Sequence, residues 1–169
     1  LVYAEPYRLR RVLNFLSPFD DPQGTGYQLS QAILAVGSGG WLGKGLGASK
    51  LKLLHLPAPH TDFIFPVLCE ELGLVGALSL LALFAAFLVR GVRAASNAPD
   101  LFGALLASGL TFLITLQALL NVAMSIGLLP TKGLPLPFFS YGGSSLVISL
   151  ACAGILLNIS RHGPEQRGT

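Results

Sequence analysis

Residues whose types could do chemistry are concentrated in one stretch, LPAPHTDFIFPVLCEELGLVG, residues 56 to 76. It holds three carboxylates, Asp62, Glu70 and Glu71, and leads into a long uncharged run. A carboxylate can accept a proton or hold a cation, and an ionisable group inside a membrane segment usually faces a cavity or a partner. In a helix that starts near residue 62, Glu70 and Glu71 lie about 12 Å along the axis. Glu70 and Glu71 therefore lie either within the membrane, facing a cavity or a partner, or at the level of the lipid head groups.

His60, Thr61 and Asp62 stand where that helix should begin. They follow Pro57 and Pro59, which end any preceding helix. Thr61 or Asp62 is thus also a candidate N-cap, whose side chain satisfies free backbone donors and complements the helix dipole. The residues alone leave capping and chemistry open.

The composition indicates that these elements belong to a membrane protein. The chain has 169 residues, of which 52% are hydrophobic and 11% charged, and a mean hydropathy of +0.66, too apolar for an ordinary soluble domain. Three uncharged runs approach or exceed the roughly 20 residues that a spanning helix needs. The sequence predicts an all-α polytopic membrane protein with a long loop at residues 1–64, transmembrane helices at 65–89, 101–127 and 137–160, and a tail at 161–169.

The charges of the short loops predict the orientation. Arginines are concentrated in the loop after the first span and in the tail, whereas the loop between the second and third spans carries only Lys132. The excess of positive charge on cytoplasmic loops places the tail inside the cell and residues 1–64 outside. The sequence has no basic face interleaved with aromatic residues, so nucleic-acid binding is not indicated. The chain opens with Leu1 and without a signal peptide, so we expect it to be the C-terminal part of a longer protein.

Two features of the long loop are informative. TGYQLSQAILAV, residues 25–36, has the apolar spacing of a short amphipathic helix, predicted at about 26–36 with Gly37 as a possible stop. GSGGWLGKGLGASK, residues 37–50, fails the Walker pattern because Ser38 and Gly45 stand where Gly and Ser or Thr are required. This glycine-rich segment, with Lys44 and two further lysines nearby, either lines an anionic head group or turns tightly under the membrane surface.

The later spans carry polar residues at helical spacing. Gln117, Asn121 and Ser125 recur every four residues and predict hydrogen bonds between helices. The third span opens with KGLPLPFFSYGGSS, in which Pro137 suits a first helical turn and the small residues at 142–145 predict close helix packing. The two cysteines, Cys69 and Cys152, are expected to be apolar fillers, so no disulfide framework is indicated.

These motifs carry a family resemblance. LPAPHTDFIFPVLCEELGLVG and LPTKGLPLPFFSYGGSSL, preceded by YRLRRVLNFLSPFDDPQGTGYQLSQAILAVGSGGWLGKGLG, resemble the C-terminal part of the SEDS family of FtsW, RodA and SpoVE, in the same order from about residue 7 to residue 161. LPTKGLPLPF and YRLRR are most similar to the FtsW members, with RodA next. The resemblance implies a ten-helix protein of the bacterial inner membrane, of which this chain holds the large extracellular loop and helices eight to ten.

The resemblance also implies a reaction. Members of the family polymerise lipid II into glycan strands together with a class B penicillin-binding protein, which is a transpeptidase. The FtsW members do so with other divisome proteins at the division septum. The aspartate of the family's HTDFIF motif, required for polymerisation, corresponds to Asp62. Pro66 departs from the small residue usual after that motif, so the start of the helix and the direction of Asp62 are open. The fragment alone is expected to be inactive.

The hypothesis drawn from this resemblance gives Asp62 one of two roles. It deprotonates the acceptor sugar hydroxyl, or it binds a divalent cation, Mg²⁺ or Mn²⁺, at the pyrophosphate. The alternatives are a lipid II flippase, a non-catalytic scaffold of the division machinery, or a RodA-type elongation polymerase. The candidate substrate-binding residues are His60, Thr61, Lys44, Lys50, Lys52, Glu70, Glu71, Lys132, Ser140 and Tyr141.

Overall fold

The computed structural model describes residues 25–49, 64–130 and 133–162. Within these ranges the chain forms four α-helices and no strand. They are α1 (Thr25–Ser38), α2 (Ile64–Ser96), α3 (Leu101–Ser125) and α4 (Gly143–Arg161). By length and composition, α2, α3 and α4 can each cross a membrane. The prediction of an all-α protein with three spans is confirmed for the described residues.

The helices α2 and α3 form a hairpin that contains most of the described core. Asp100 caps α3 by accepting a hydrogen bond from the Gly103 N–H at 3.3 Å. The two helices cross closely at Gly91, where a Cβ atom would collide with the Thr111 side chain. Apolar side chains fill the rest of the interface, including Leu80, Phe84, Ile114, Ala118 and Val122.

The amphipathic helix α1 packs on this hairpin. Leu29 and Ala32 are fully buried, and Ala35 contacts Val67 near the start of α2. Gly37, expected as a stop, lies inside α1, which continues to Ser38. The helix thereby delivers the glycine-rich segment that follows it to the side of α2.

Two observed boundaries differ from those expected because turns compete with the helix. α3 ends at Ser125 rather than at residue 127, since Gly127 takes φ 75° and the Leu128 N–H donates to the Ala123 carbonyl at 2.8 Å. α4 begins at Gly143 rather than at residue 137. Residues 136–140 close a turn instead, in which the Ser140 hydroxyl accepts from the Leu136 N–H at 2.7 Å. The first span also runs past its predicted end, to Ser96.

The polar stripe of α3 binds a loop where bonds between helices were predicted. Gln117 donates to the Pro135 carbonyl at 2.8 Å, and Asn121 donates to the Leu134 carbonyl at 2.6 Å. The small residues at the start of α4 are likewise not its buried face, which consists of Ser149, Cys152 and Leu156. Buried loop carbonyls need donors, so this stripe attaches the segment before α4 to α3.

Candidate functional site

A break in α2 organises the candidate site. Gly73 has φ 66° and ψ −160°, a conformation that glycine adopts readily and other residues rarely do. In a continuous helix the N–H groups of Leu74 and Val75 would donate to the carbonyls of Glu70 and Glu71. They instead donate to Gly40 at 2.9 Å and Trp41 at 3.3 Å. The break therefore leaves two carbonyls without their helical donors.

The segment 39–47, called the glycine loop below, supplies those donors. The Lys44 N–H donates to the Glu70 carbonyl at 3.0 Å, and the Gly45 N–H donates to the Glu71 carbonyl at 3.1 Å. The loop thus satisfies both donors and both acceptors that the break exposes, each of which would cost about 1–3 kcal/mol if buried unpaired. Loop and helix form one hydrogen-bonded unit.

Three glycines permit this contact. A Cβ atom on Gly39 or Gly43 would collide with the backbone of Cys69 or Glu71, and one on Gly73 would collide with the backbone of Trp41 and Gly43. Other glycines of this region, at 37, 45 and 47, face open space. Because the Lys44 and Gly45 amides are taken by α2, the structure favours the tight turn over a cradle of free amides for an anion.

A partly buried ion pair joins the loop to α2. Glu70 is 3% exposed, and its Oε1 atom lies 2.7 Å from Lys44 Nζ. The Ser49 hydroxyl donates to the other carboxylate oxygen at 2.7 Å, and Lys44 Nζ also donates to Ser38 Oγ at 2.9 Å. Glu70 therefore faces partners within its own chain, and its charge is compensated as a buried carboxylate requires.

The cluster also connects the described fold to the predicted catalytic motif. Ser49 immediately precedes residues 50–63, and Glu70 lies six residues after Ile64, where the described chain resumes. Glu71 differs from its neighbour, because one of its carboxylate oxygens is buried without a hydrogen-bond partner among the described residues. The structure thus separates two adjacent acids that the sequence presents alike.

The remaining predicted residues divide into two groups. Ser140 is buried and holds a turn, and Tyr141 is 82% exposed; the structure does not bring them to the Lys44–Glu70 pair through any described contact. Their role in substrate binding, like that of Lys44, Glu70 and Glu71, stays a prediction. The other candidates lie outside the described residues: His60, Thr61, Asp62, Lys50, Lys52 and Lys132.

The described ranges contain no group of three or more His, Cys, Asp or Glu side chains that could hold a metal ion. Asp62, at which the cation was predicted, lies outside these ranges. Mg²⁺ or Mn²⁺ at Asp62 stays a prediction.

Sequence reasoning missed Ser38, Ser49 and Gly73. The two serines gave no signal, because their partners lie 6 and 21 residues away along the chain. Gly73 did give one, since an isolated glycine inside a helical pattern often marks a special backbone position.

Replacing Glu70 by Ala is expected to destabilise the protein by about 2 kcal/mol, because it removes the charged acceptor of the buried Ser49 hydroxyl and of the Lys44 ammonium. The Lys44 ammonium adds little to this loss, because its side chain is 34% exposed and can be hydrated. Thermal unfolding of the full-length protein in detergent measures the loss. The double variant Glu70→Ala/Lys44→Met should cost less than the sum of the two single changes. Strict additivity would contradict the pairing.

Three helices able to span a bilayer, one of them broken and bonded to a glycine loop, define a multi-pass α-helical membrane protein. A family model described as "Cell cycle protein", that of FtsW, RodA and SpoVE, matches residues 1–165. The chain belongs to this family, which confirms the resemblance seen in its motifs.

Relatives and solved structures agree with that assignment. The chain is 48% identical over 162 residues to stage V sporulation protein E of Bacillus subtilis, covering 96% of this chain and 44% of the relative. It is 54% identical over 172 residues to a probable peptidoglycan glycosyltransferase FtsW of Pseudomonas fluorescens, covering 100% and 42%. The chain spans less than half the length of these relatives.

Two solved structures share the fold. One is a chain from work on the structural coordination of polymerization and crosslinking by a peptidoglycan synthase complex, with a TM-score of 0.75, 34% identity, and coverage of 96% of this chain and 44% of that one. The other is an aspartate-to-alanine mutant of the rod shape determining protein RodA of Thermus thermophilus, with a TM-score of 0.60, 36% identity, and coverage of 80% and 41%. The arrangement of the helices is therefore that of known members of the family.

Proposed function

We propose that the whole protein is a peptidoglycan glycosyltransferase that polymerises lipid II during septal cell-wall synthesis. The observation that carries the proposal is the 54% identity to a probable FtsW over the full length of this chain, including the stretch at 56–76. Relatives with the same description recur at 49–52% identity. The enzyme class rests on this similarity, and the residue roles rest on chemistry.

In the proposed reaction Asp62 acts on the acceptor. The donor sugar is already activated by its lipid-linked pyrophosphate, which leaves without a proton when cations neutralise its charge. The acceptor hydroxyl must lose a proton, and a carboxylate within hydrogen-bond reach can take it. Because the Lys44 ammonium already has a carboxylate partner, we assign the pyrophosphate first to Lys50 and Lys52.

The proposal extends to location and partners. The protein lies in the bacterial inner membrane at the septum, with residues 1–64 outside and the tail inside, as the loop charges predict. A class B penicillin-binding protein and other divisome proteins are its proposed partners. The similarity to a chain of a peptidoglycan synthase complex supports a joint role in polymerisation and crosslinking.

The test is an assay of purified lipid II with the full-length protein and its penicillin-binding partner. We expect glycan polymer as the product. Monomer moved across a vesicle membrane without polymer would favour the flippase, and partner recruitment without either product would favour the scaffold. Septal rather than side-wall localisation of the tagged protein distinguishes division from elongation.

Removing divalent cations with a chelator addresses the second role of Asp62. A ligand role predicts that polymerisation falls on chelation and returns when Mg²⁺ or Mn²⁺ is added back. Polymerisation that persists after chelation would leave Asp62 the base role alone. The control is the same chelator with excess cation present throughout, which holds its other effects constant.

A further inference from the structure

We propose that the glycine loop anchors the protein in the membrane interface, with Trp41, Leu42 and Leu46 inserted at the boundary between lipid head groups and acyl chains. The occupant of this apolar surface is the bilayer itself. This anchoring of the loop in lipid does not depend on which reaction the whole protein performs.

The first observation is the exposure of three large apolar side chains on one short loop. Trp41 is 75% exposed, Leu42 82% and Leu46 80%. The loop cannot fold them inward, because its backbone is held on α2 at both sides of the break. Its one charged residue, Lys44, is paired with Glu70, and the Lys44 side chain is 34% exposed. The loop therefore presents a fixed apolar surface, which is costly in water at roughly 25 cal/mol per Å².

The second observation is the level of the loop along α2. This helix has 33 residues, about 50 Å at 1.5 Å per residue, which exceeds the roughly 30 Å of the hydrocarbon layer. Its uncharged part, residues 72–89, lies between Glu71 and Arg90 and measures about 27 Å on the same scale. One hydrocarbon boundary therefore falls near residue 72, next to the break to which the glycine loop is bonded.

The third observation is continuity with the surface of α2 that lies within this uncharged part. Trp41 and Leu74 line the same apolar groove, a cavity of about 220 Å³, and the Trp41 carbonyl accepts from the Val75 N–H. Val75 and Leu78 are each 55% exposed. The apolar surface of the loop thus continues onto the helix surface that lies below the boundary.

The residue types match an interface. Tryptophan is enriched at the membrane–water boundary, where its ring is buried and its N–H stays near water. The loop contains no acidic residue, so anionic head groups would not be repelled. Apolar side chains at this depth bind a membrane reversibly and orient the element that carries them.

Fluorescence of Trp41 tests the proposal. Trp41 is the only tryptophan in this chain, so a full-length protein whose other tryptophans are replaced by phenylalanine reports position 41 alone. The protein is reconstituted in phosphatidylcholine–phosphatidylglycerol vesicles containing lipids brominated either near the head group or near the chain end. The matched control combines Trp41→Phe with Leu78→Trp. It places the reporter on α2, five residues beyond the break at Gly73.

We expect a blue-shifted emission from Trp41, stronger quenching by the shallow bromine than by the deep one, and little quenching by aqueous iodide. The Leu78→Trp reporter should show the larger response to the deep bromine. Free access of iodide to Trp41 would overturn the proposal. Protection from both iodide and bromolipid would also overturn it and indicate a protein contact, which is a second copy of the chain if the protection is lost on dilution with lipid.

Discussion

Full-length protein carrying Asp62→Asn is expected to lose polymerisation by about 100-fold or more, the usual contribution of a general base. The amide has nearly the same shape but cannot take a proton or neutralise a cation. An asparagine caps a helix about as well as an aspartate, so a capping residue would tolerate this change. Polymer formed from purified lipid II with the penicillin-binding partner, at matched protein levels, is the measurement.

Asp100→Asn is the matched control, because Asp100 is a described N-cap of α3 and undergoes the same chemical change. It should polymerise like the wild type. Partner binding and thermal stability of both variants should stay unchanged. Wild-type activity in Asp62→Asn would reduce Asp62 to a cap and remove the base and the cation ligand together.

Gly73→Ala is expected to expel the glycine loop from α2. The alanine Cβ would meet the backbone of Trp41 and Gly43, and the Gly73 conformation, φ 66° and ψ −160°, costs a residue with a Cβ roughly 1–3 kcal/mol. A continuous helix avoids both penalties, because Leu74 and Val75 can then donate to Glu70 and Glu71 in the ordinary way. Four hydrogen bonds to the loop are lost in that rearrangement.

Amide hydrogen exchange distinguishes this outcome from general destabilisation. In Gly73→Ala the amides of Lys44 and Gly45 should exchange much faster, by roughly 100-fold for about 3 kcal/mol of lost protection, while Leu74 and Val75 stay protected. Gly47→Ala is the control, since Gly47 also has a positive φ of 80° but faces open space. Slow exchange at Lys44 and Gly45 in Gly73→Ala would contradict the coupling of loop and helix.

The two variants probe different layers of one arrangement. Asp62 belongs to the motif that the sequence identifies, and Gly73 belongs to the support that the fold reveals. Ser49, bonded to Glu70 on the broken helix, ends the described chain on one side of that motif. Loss of the contact between the glycine loop and the broken helix is therefore expected to lower the stability of the protein even where the motif is intact.

The sequence by itself determined the class of this protein. Uncharged runs long enough to span a bilayer need no partner to be recognised, because the cost of burying charge in lipid acts on each residue separately. The same locality explains why the extent of α3 was predicted to within two residues. The motifs around HTDFIF identified the family, which the match over residues 1–165 confirms.

Only the tertiary structure decided what surrounds the acids. The run EELGLVG continues a helical pattern locally, yet its hydrogen bonds at Glu70, Glu71, Leu74 and Val75 go to a loop about 30 residues earlier. Likewise, the side-chain amides of Gln117 and Asn121 on α3 donate to the loop carbonyls of residues 135 and 134. Periodicity records which side of a helix is apolar but not which backbone atoms come near it, because that proximity depends on how distant parts of the chain fold together.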